Sequence, residues 1–140
     1  MAVVSIPNNT EQRRLEERCA AVSSESGVAV RLDMAEGWPR ELPQEIALCL
    51  YRVAQEALRN IGKHAHARSA RVSLVREPEQ LSMQISDDGR GFDPSETTPR
   101  GLGLVSMRER VRMLGGSLRL DTLPGGGTVV TATLPLGRSS

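Results

Sequence analysis

Two adjacent aspartates followed by alternate glycines, Asp87-Asp88-Gly89-Arg90-Gly91-Phe92, form the stretch of this sequence best equipped for chemistry. A carboxylate accepts a hydrogen bond from an amine, and glycines let the backbone turn sharply and approach a flat ring closely. Asp and Gly also make ordinary turns, so the stretch gains meaning only from its surroundings. Upstream, Glu56, Asn60, Lys63 and His64 fall together on one side of a helix turning at ~100° per residue, opposite its apolar stripe. Asn is a poor residue for a helix interior, but its side-chain oxygen can be offered to Mg²⁺, a hard cation that arrives with substrate phosphates. Downstream, Gly101-Leu102-Gly103 precedes a predicted helix, where free backbone N–H groups and the helix dipole suit a phosphate. Each group has an ordinary reading alone: tight turn, solvated face, helix cap. Their order and spacing together are what point to a nucleotide.

The elements that must position these groups can be read from periodicity. Glu11 to Ser24 reads as an amphipathic helix with Leu15, Cys19 and Val22 on one side, ended by Gly27. Val28 to Leu32 alternates like a strand, and Glu36 to Pro43 is a connection holding the only tryptophan, Trp38, a packing residue. Pro43 opens the longest helix, expected to run to about His66, with Ile46, Leu50, Ala54, Ala57, Leu58, Ile61 and Ala65 as its core stripe. Ala70 to Val75 and Leu81 to Ser86 form a hairpin across Glu77-Pro78-Glu79-Gln80. A helix with Leu104, Met107, Val111 and Leu114 on its apolar side stops at Gly115-Gly116. Strands over Ser117 to Thr122 and Thr128 to Leu134 complete the chain. The expected fold is an α/β (α+β) two-layer sandwich, a mixed and largely antiparallel sheet with helices on one face. Residues 1–10 are expected to be a flexible N-terminus, 11–136 one domain, and 137–140 a frayed tail.

Composition narrows the function. With 18 Lys+Arg against 17 Asp+Glu and 2% aromatics, the chain lacks the basic surplus and stacking platforms of a nucleic-acid binder. Cys19 and Cys49 are expected as free buried thiols of a reducing compartment. No apolar run approaches the ~18 residues that span a bilayer, and no signal peptide is evident, so a cytoplasmic location is expected, the parent protein being membrane-anchored or not. There is no phosphate-loop Gly-x-x-x-x-Gly-Lys-Ser/Thr, no complete dinucleotide fingerprint and no Gly-x-Ser-x-Gly elbow. His64 and His66 are wrongly spaced for a zinc pair on a helix.

Tyr51-Arg52-Val53-Ala54-Gln55-Glu56-Ala57-Leu58-Arg59-Asn60 with Lys63-His64-Ala65 resembles the N box of bacterial sensor histidine kinases. Asp87 to Phe92 resembles their first glycine box, and Gly101-Leu102-Gly103-Leu104 with Met107-Arg108-Glu109-Arg110 the second. Gly125-Gly126-Gly127-Thr128 is also similar to the family. The Gln-Glu-Ala-Leu and Met-Arg-Glu-Arg wordings point to the NarL/DesK-type subfamily, and the match covers about Leu15 to Leu136.

The resemblance implies the Bergerat (GHKL) ATP-binding fold and a protein-histidine kinase with ATP and Mg²⁺ as cofactors. It implies that Asn60 holds Mg²⁺ against the triphosphate, with Glu56 supporting the metal or its water, these two being the catalytic positions. Lys63, His64 and Arg100 would lie near phosphates. Asp87 would accept from the adenine amine, Gly89 and Gly91 would admit the ring, and Thr128 would support that pocket. Gly101 and Gly103, with Leu102 and Leu104, would frame the lid and the phosphate cradle.

The lid between the glycine boxes is short, which implies an open nucleotide site. No phosphoacceptor helix hairpin precedes residue 15, so the acceptor histidine is expected on a dimerisation domain outside this chain, for relay to a response regulator. The chain alone is expected to bind ATP and not to phosphorylate itself. The alternatives are an anti-sigma-type serine kinase, or a non-catalytic nucleotide-sensing module of the same fold.

Overall fold

The computed structural model of the chain describes residues 10–39, 42–89, 104–123 and 126–136, without the side chains of 10–12, 64, 65, 104 and 123. Helix α1 spans Thr10–Ser26, strand β1 Ala29–Met34 and helix α2 Gln44–Asn60. A short π-helical turn over Ile61–Ala65 follows α2 directly. Then come β2 (Ser69–Glu77), β3 (Gln80–Asp87), α3 (Leu104–Met113), β4 (Ser117–Leu123) and β5 (Gly127–Pro135). The N-terminal and C-terminal segments expected to be flexible or frayed lie largely outside the described residues.

The five strands form one sheet in the order β1-β2-β3-β5-β4. β1 pairs with β2 in parallel, and the other neighbours are antiparallel. Parallel neighbours need a crossover connection, and here that crossover contains α2 and its π-helical end. α1 packs on β1, α2 on β3 and β5, and α3 on β4 and β5. Period-two alternation then decides what each strand residue meets. Ala70, Val72 and Leu74 of β2, Leu81, Met83 and Ile85 of β3, and Val130, Ala132 and Leu134 of β5 are buried under the helices. Their neighbours in sequence, among them Arg71, Ser82, Gln84 and Thr131, are exposed or half-buried. The predicted two-layer architecture is therefore the observed one.

The helices follow from the same logic. Leu15, Cys19 and Val22 of α1 are buried, as are Ile46, Leu50, Ala54, Ala57, Leu58 and Ile61 along α2. Ala47, Cys49 and Val53 join them, so the buried stripe of α2 is wider than the predicted one. Trp38 is buried in the common core, and both cysteines are buried free thiols. α1 ends at Gly27, whose φ of +80° is costly for a residue with a Cβ. α3 ends where the Gly116 N–H donates to the Val111 carbonyl at 2.9 Å and the Gly115 N–H to that of Arg112 at 2.9 Å, satisfying carbonyls that the last turn leaves free.

Two details of α2 correct the predicted helix. It does not run as a regular helix to His66, because the i→i+4 pattern widens immediately after Asn60. His66 then stops it in the left-handed conformation (φ 53°, ψ 44°). Among the described residues it is the only non-glycine with positive φ. Such a conformation costs an L-residue ~1–2 kcal/mol, and π-helical turns occur often at functional sites.

Candidate functional site

The row of residues that ends the helix-covered face of the sheet carries the polar groups. Register places Val30 beside Ala70, Ala70 beside Asp87, Asp87 beside Thr128, and Thr128 beside Thr122. On β3 this position continues the buried row of Leu81, Met83 and Ile85, and on β5 that of Val130, Ala132 and Leu134. Alternation thus delivers a carboxylate and a hydroxyl where the preceding positions are apolar. Small Ala70 leaves space on one flank of Asp87, and Thr128 closes the other, 3% exposed and within 3.5 Å of the Thr122 hydroxyl.

Asp87 divides its two oxygens between different tasks. Oδ1 accepts from the Gly89 N–H at 2.7 Å, which fixes the turn after β3. Oδ2 is buried and, among the described residues, has no hydrogen-bond partner. A buried unsatisfied carboxylate oxygen is costly, and it is well suited to a donor supplied by a ligand. Burial pushes the Asp87 carboxyl above the usual carboxylate range; the Gly89 N–H opposes that shift, and the neighbouring charge of Asp88 adds to it. The glycine side of the turn is tight as well. A Cβ on Gly127 (φ +93°) would lie 2.3 Å from the Asp87 carbonyl oxygen, so only glycine lets β5 approach here.

Asp88 points to a different structure. Its Oδ1 accepts from the backbone N–H groups of Arg68 (2.8 Å) and Ser69 (3.0 Å), and its Oδ2 from the Ser69 hydroxyl (2.8 Å). The Asp88 N–H in turn donates to the Ser69 carbonyl at 3.2 Å. These bonds, the Ser69 backbone first, hold the exposed Asp88 carboxyl below its ordinary value.

The helical group is split. Asn60, expected opposite the apolar stripe with Glu56, Lys63 and His64, is instead buried at 6% exposure. It follows Val53 by seven residues, within ~20° on the helical wheel, and Val53 is fully buried. Glu56 is half-buried beside Arg59 at 3.6 Å, and Lys63 is exposed. Glu56 and Lys63 line a cavity of about 580 Å³ between α1 and the end of α2, with Arg18, Arg59 and Glu25 as further charged walls. Gly62 lets the two helices close up there, since a Cβ would sit 3.3 Å from that of Ser26. Asp87 lines a different groove of about 470 Å³ at the β1–β2–β3 end of the sheet. Among the described residues, Glu56 and Lys63 thus line one cavity and Asp87 another, while Asn60 lines neither, and α2 lies across β3 and β5, the strands that carry Asp87 and Thr128.

Gly91, Arg100, Gly101, Leu102 and Gly103 lie outside the described residues, as do the side chains of His64 and Leu104; Leu104 itself opens α3. Gly89 is buried at the turn. Asp88 and Gly127 were not singled out for roles by sequence. The doubled aspartate was a readable signal for the first, whereas the second needs the β3–β5 register.

Oxygen donors, not nitrogen or sulfur, are what Glu56 and Asn60 offer. Among the described residues no cluster of three or more His, Cys, Asp or Glu could enclose a metal by itself. Oxygen donors of this kind suit a hard cation such as Mg²⁺, which is usually held by one or two carboxylates together with substrate phosphates.

Residues 45–138 match the family of histidine kinase-, DNA gyrase B- and HSP90-like ATPases, and the chain belongs to that family. It is 37% identical over 100 residues to the signal transduction histidine-protein kinase/phosphatase DegS of Brevibacillus brevis, covering 71% of this chain and 26% of DegS. It is 36% identical over 124 residues to the sensor histidine kinase MctS of Rhizobium johnstonii, covering 86% of this chain and 26% of MctS. The solved histidine kinase domain of the Erythrobacter litoralis EL346 blue-light activated histidine kinase superposes with a TM-score of 0.71 at 29% identity, over 87% of this chain and 59% of that one. The chain is thus a histidine kinase-type ATP-binding domain, of the NarL/DesK-type subfamily that the box wordings indicated. It spans about a quarter of the length of these curated relatives.

Proposed function

We propose that this domain, taken as residues 11–136, binds Mg-ATP and presents its γ-phosphate to a histidine on a separate dimerisation domain, from which the phosphoryl group passes to a response regulator. The observation that carries the reading is the buried Oδ2 of Asp87 beside Thr128, without a partner among the described residues, an acceptor that an adenine amine would complete. Asp87 would read the amine, Thr128 would support the ring pocket, and Gly89 and Gly91 would admit the ring. Asn60, with Glu56 behind it, would hold Mg²⁺, which when bound supplies charge neutralisation to the polyphosphate. Lys63, His64 and Arg100 would contact phosphates, and Gly101 to Leu104 would frame the cradle. Phosphoryl transfer depends chiefly on positioning and charge neutralisation, so a domain that holds the nucleotide supplies much of the catalysis while the acceptor comes from elsewhere.

The test is to incubate the chain with γ-labelled ATP, alone and with the histidine-bearing helix hairpin of its parent protein. Acid-labile label on the hairpin, dependent on Mg²⁺, is expected, with none on the chain alone. Label on His64 or His66, or ATP binding without any transfer to the hairpin, would overturn the kinase reading. The latter outcome would favour a nucleotide-sensing role.

A further inference from the structure

The chain bends sharply at two places near the polar row, and one side chain joins them. After the π-helical end of α2, His66 in the left-handed conformation turns the backbone into Ala67, Arg68 and Ser69 at the start of β2. After β3, Asp87 and Gly89 form the second turn. Asp88 accepts from both backbone N–H groups of the Arg68-Ser69 step and from the Ser69 hydroxyl. Its own N–H extends the β2–β3 ladder one residue beyond the Ala70–Asp87 pair. Arg68 is also committed on its other side, its carbonyl accepting from the Ala29 N–H of β1 at 2.9 Å.

We infer that Asp88 is a positioning residue for nucleotide recognition, clamping the exit of the Asn60-bearing helix to the turn that aims Asp87 at the base. The inference rests on the nucleotide reading of Asp87 given above. The geometry explains why an exposed carboxylate carries this much hydrogen bonding. The successive N–H groups of Arg68 and Ser69 converge on one oxygen of Asp88, which reaches them from the neighbouring strand. Because Asp87 and Asp88 are consecutive and alternate across the sheet, the clamp on one side fixes the direction of the carboxylate on the other. Without it, Asp87 Oδ1 would keep its local bond to Gly89, but the turn as a unit would be free to shift relative to Thr128 and Ala70.

A merely structural role would weaken every nucleotide alike, whereas a positioning role acts on recognition of the 6-amine. The experiment therefore compares ATP with purine riboside triphosphate, which is ATP without that amine, by titration calorimetry on the full chain with Mg²⁺. Wild type should prefer ATP by about tenfold or more, the weight of one hydrogen bond to a charged acceptor. Asp88→Ala should collapse the ratio to within about threefold, as Asp87→Asn should. Asp88→Asn, which keeps the acceptor for the two backbone N–H groups, should restore most of it. Where Asp88→Ala fails to fold, Ser69→Ala carries the test, with a smaller fall in the ratio expected. A wild type with no preference overturns the reading of Asp87 itself. A wild type that discriminates, with variants that keep the full ratio, overturns only the clamp.

Discussion

Replacing Asp87 by asparagine separates recognition from folding more cleanly than any other single change in this domain. The Asn side chain has the same shape, and its oxygen would stay on the Gly89 N–H, now 2.7 Å from Oδ1, because its NH₂ cannot accept from that donor. The NH₂ would then occupy the place of Oδ2, which is buried and has no partner among the described residues. An acceptor facing the ligand thereby becomes a donor facing a donor. One hydrogen bond to a charged acceptor is worth about 1.5–3 kcal/mol, so Kd for Mg-ATP should rise about 10- to 150-fold. Folding should respond in the opposite direction. Burial raises the Asp87 carboxyl above its ordinary 3.8, so the folded chain binds that proton more readily than the unfolded chain does. The ionised side chain therefore costs stability, increasingly as pH rises from 3.8 and fully above the folded value. At pH 7 the variant's Tm should equal or exceed that of wild type, and the advantage should vanish in acid below about 3.8. Calorimetric titration with ATP and thermal melts across pH measure both. Unchanged ATP affinity would refute the assignment, and lost affinity with a lowered Tm at pH 7 would show that Asp87 acts on the fold instead.

Thr128→Val keeps the volume but removes a hydroxyl that is 3.5 Å from that of Thr122; so long a contact should cost at most ~1 kcal/mol of stability in urea unfolding, while ATP affinity falls measurably. Gly116→Ala would place a Cβ 2.1 Å from the Thr133 carbonyl oxygen and 2.8 Å from Leu134; the overpacking should cost ~1–3 kcal/mol in the same assay, without the selective loss of amine recognition expected of the Asp87 turn. Cys19 is buried with its thiol pushed up to about 11, and burial raises Cys49 too; a thiol reagent at pH 8 should therefore react slowly with the native chain and rapidly with both cysteines in denaturant.

Much of this was legible in the sequence because the fold is written in two simple periods. The hairpin of β2 and β3 followed from alternation that places Ala70, Val72 and Leu74 against Leu81, Met83 and Ile85, and α3 was delimited by its glycine stop. Asn60 lies on the core side because the buried stripe extends to Val53, within ~20° of it on the helical wheel, so widening the stripe by that one residue carries a boundary position into the core. The widened turn at Ile61–Ala65 could not be read at all, since nothing in the local residue types distinguishes a π-helical turn from a regular one ending at Gly62 and His66. The clamp by Asp88 depends on the meeting of segments 19 and 20 residues apart. Local patterns do not encode such a meeting. Asp87 was found as a candidate by motif, yet its reason is structural: it is the polar last member of an apolar row.

The parallel pairing of β1 with β2 bears on how the site can move. Glu56 and Asn60 sit on the strap that joins these two strands, and a strap anchored at both ends to one sheet has almost no travel of its own. Sliding it along its axis would drag an edge strand out of register, and tilting it would lift Val53, Ala54 and Leu58 from the sheet. The corner that carries Glu56 and Asn60 is therefore a fixed jaw, and any part of the domain that moves on ligand binding must be hinged elsewhere in the chain.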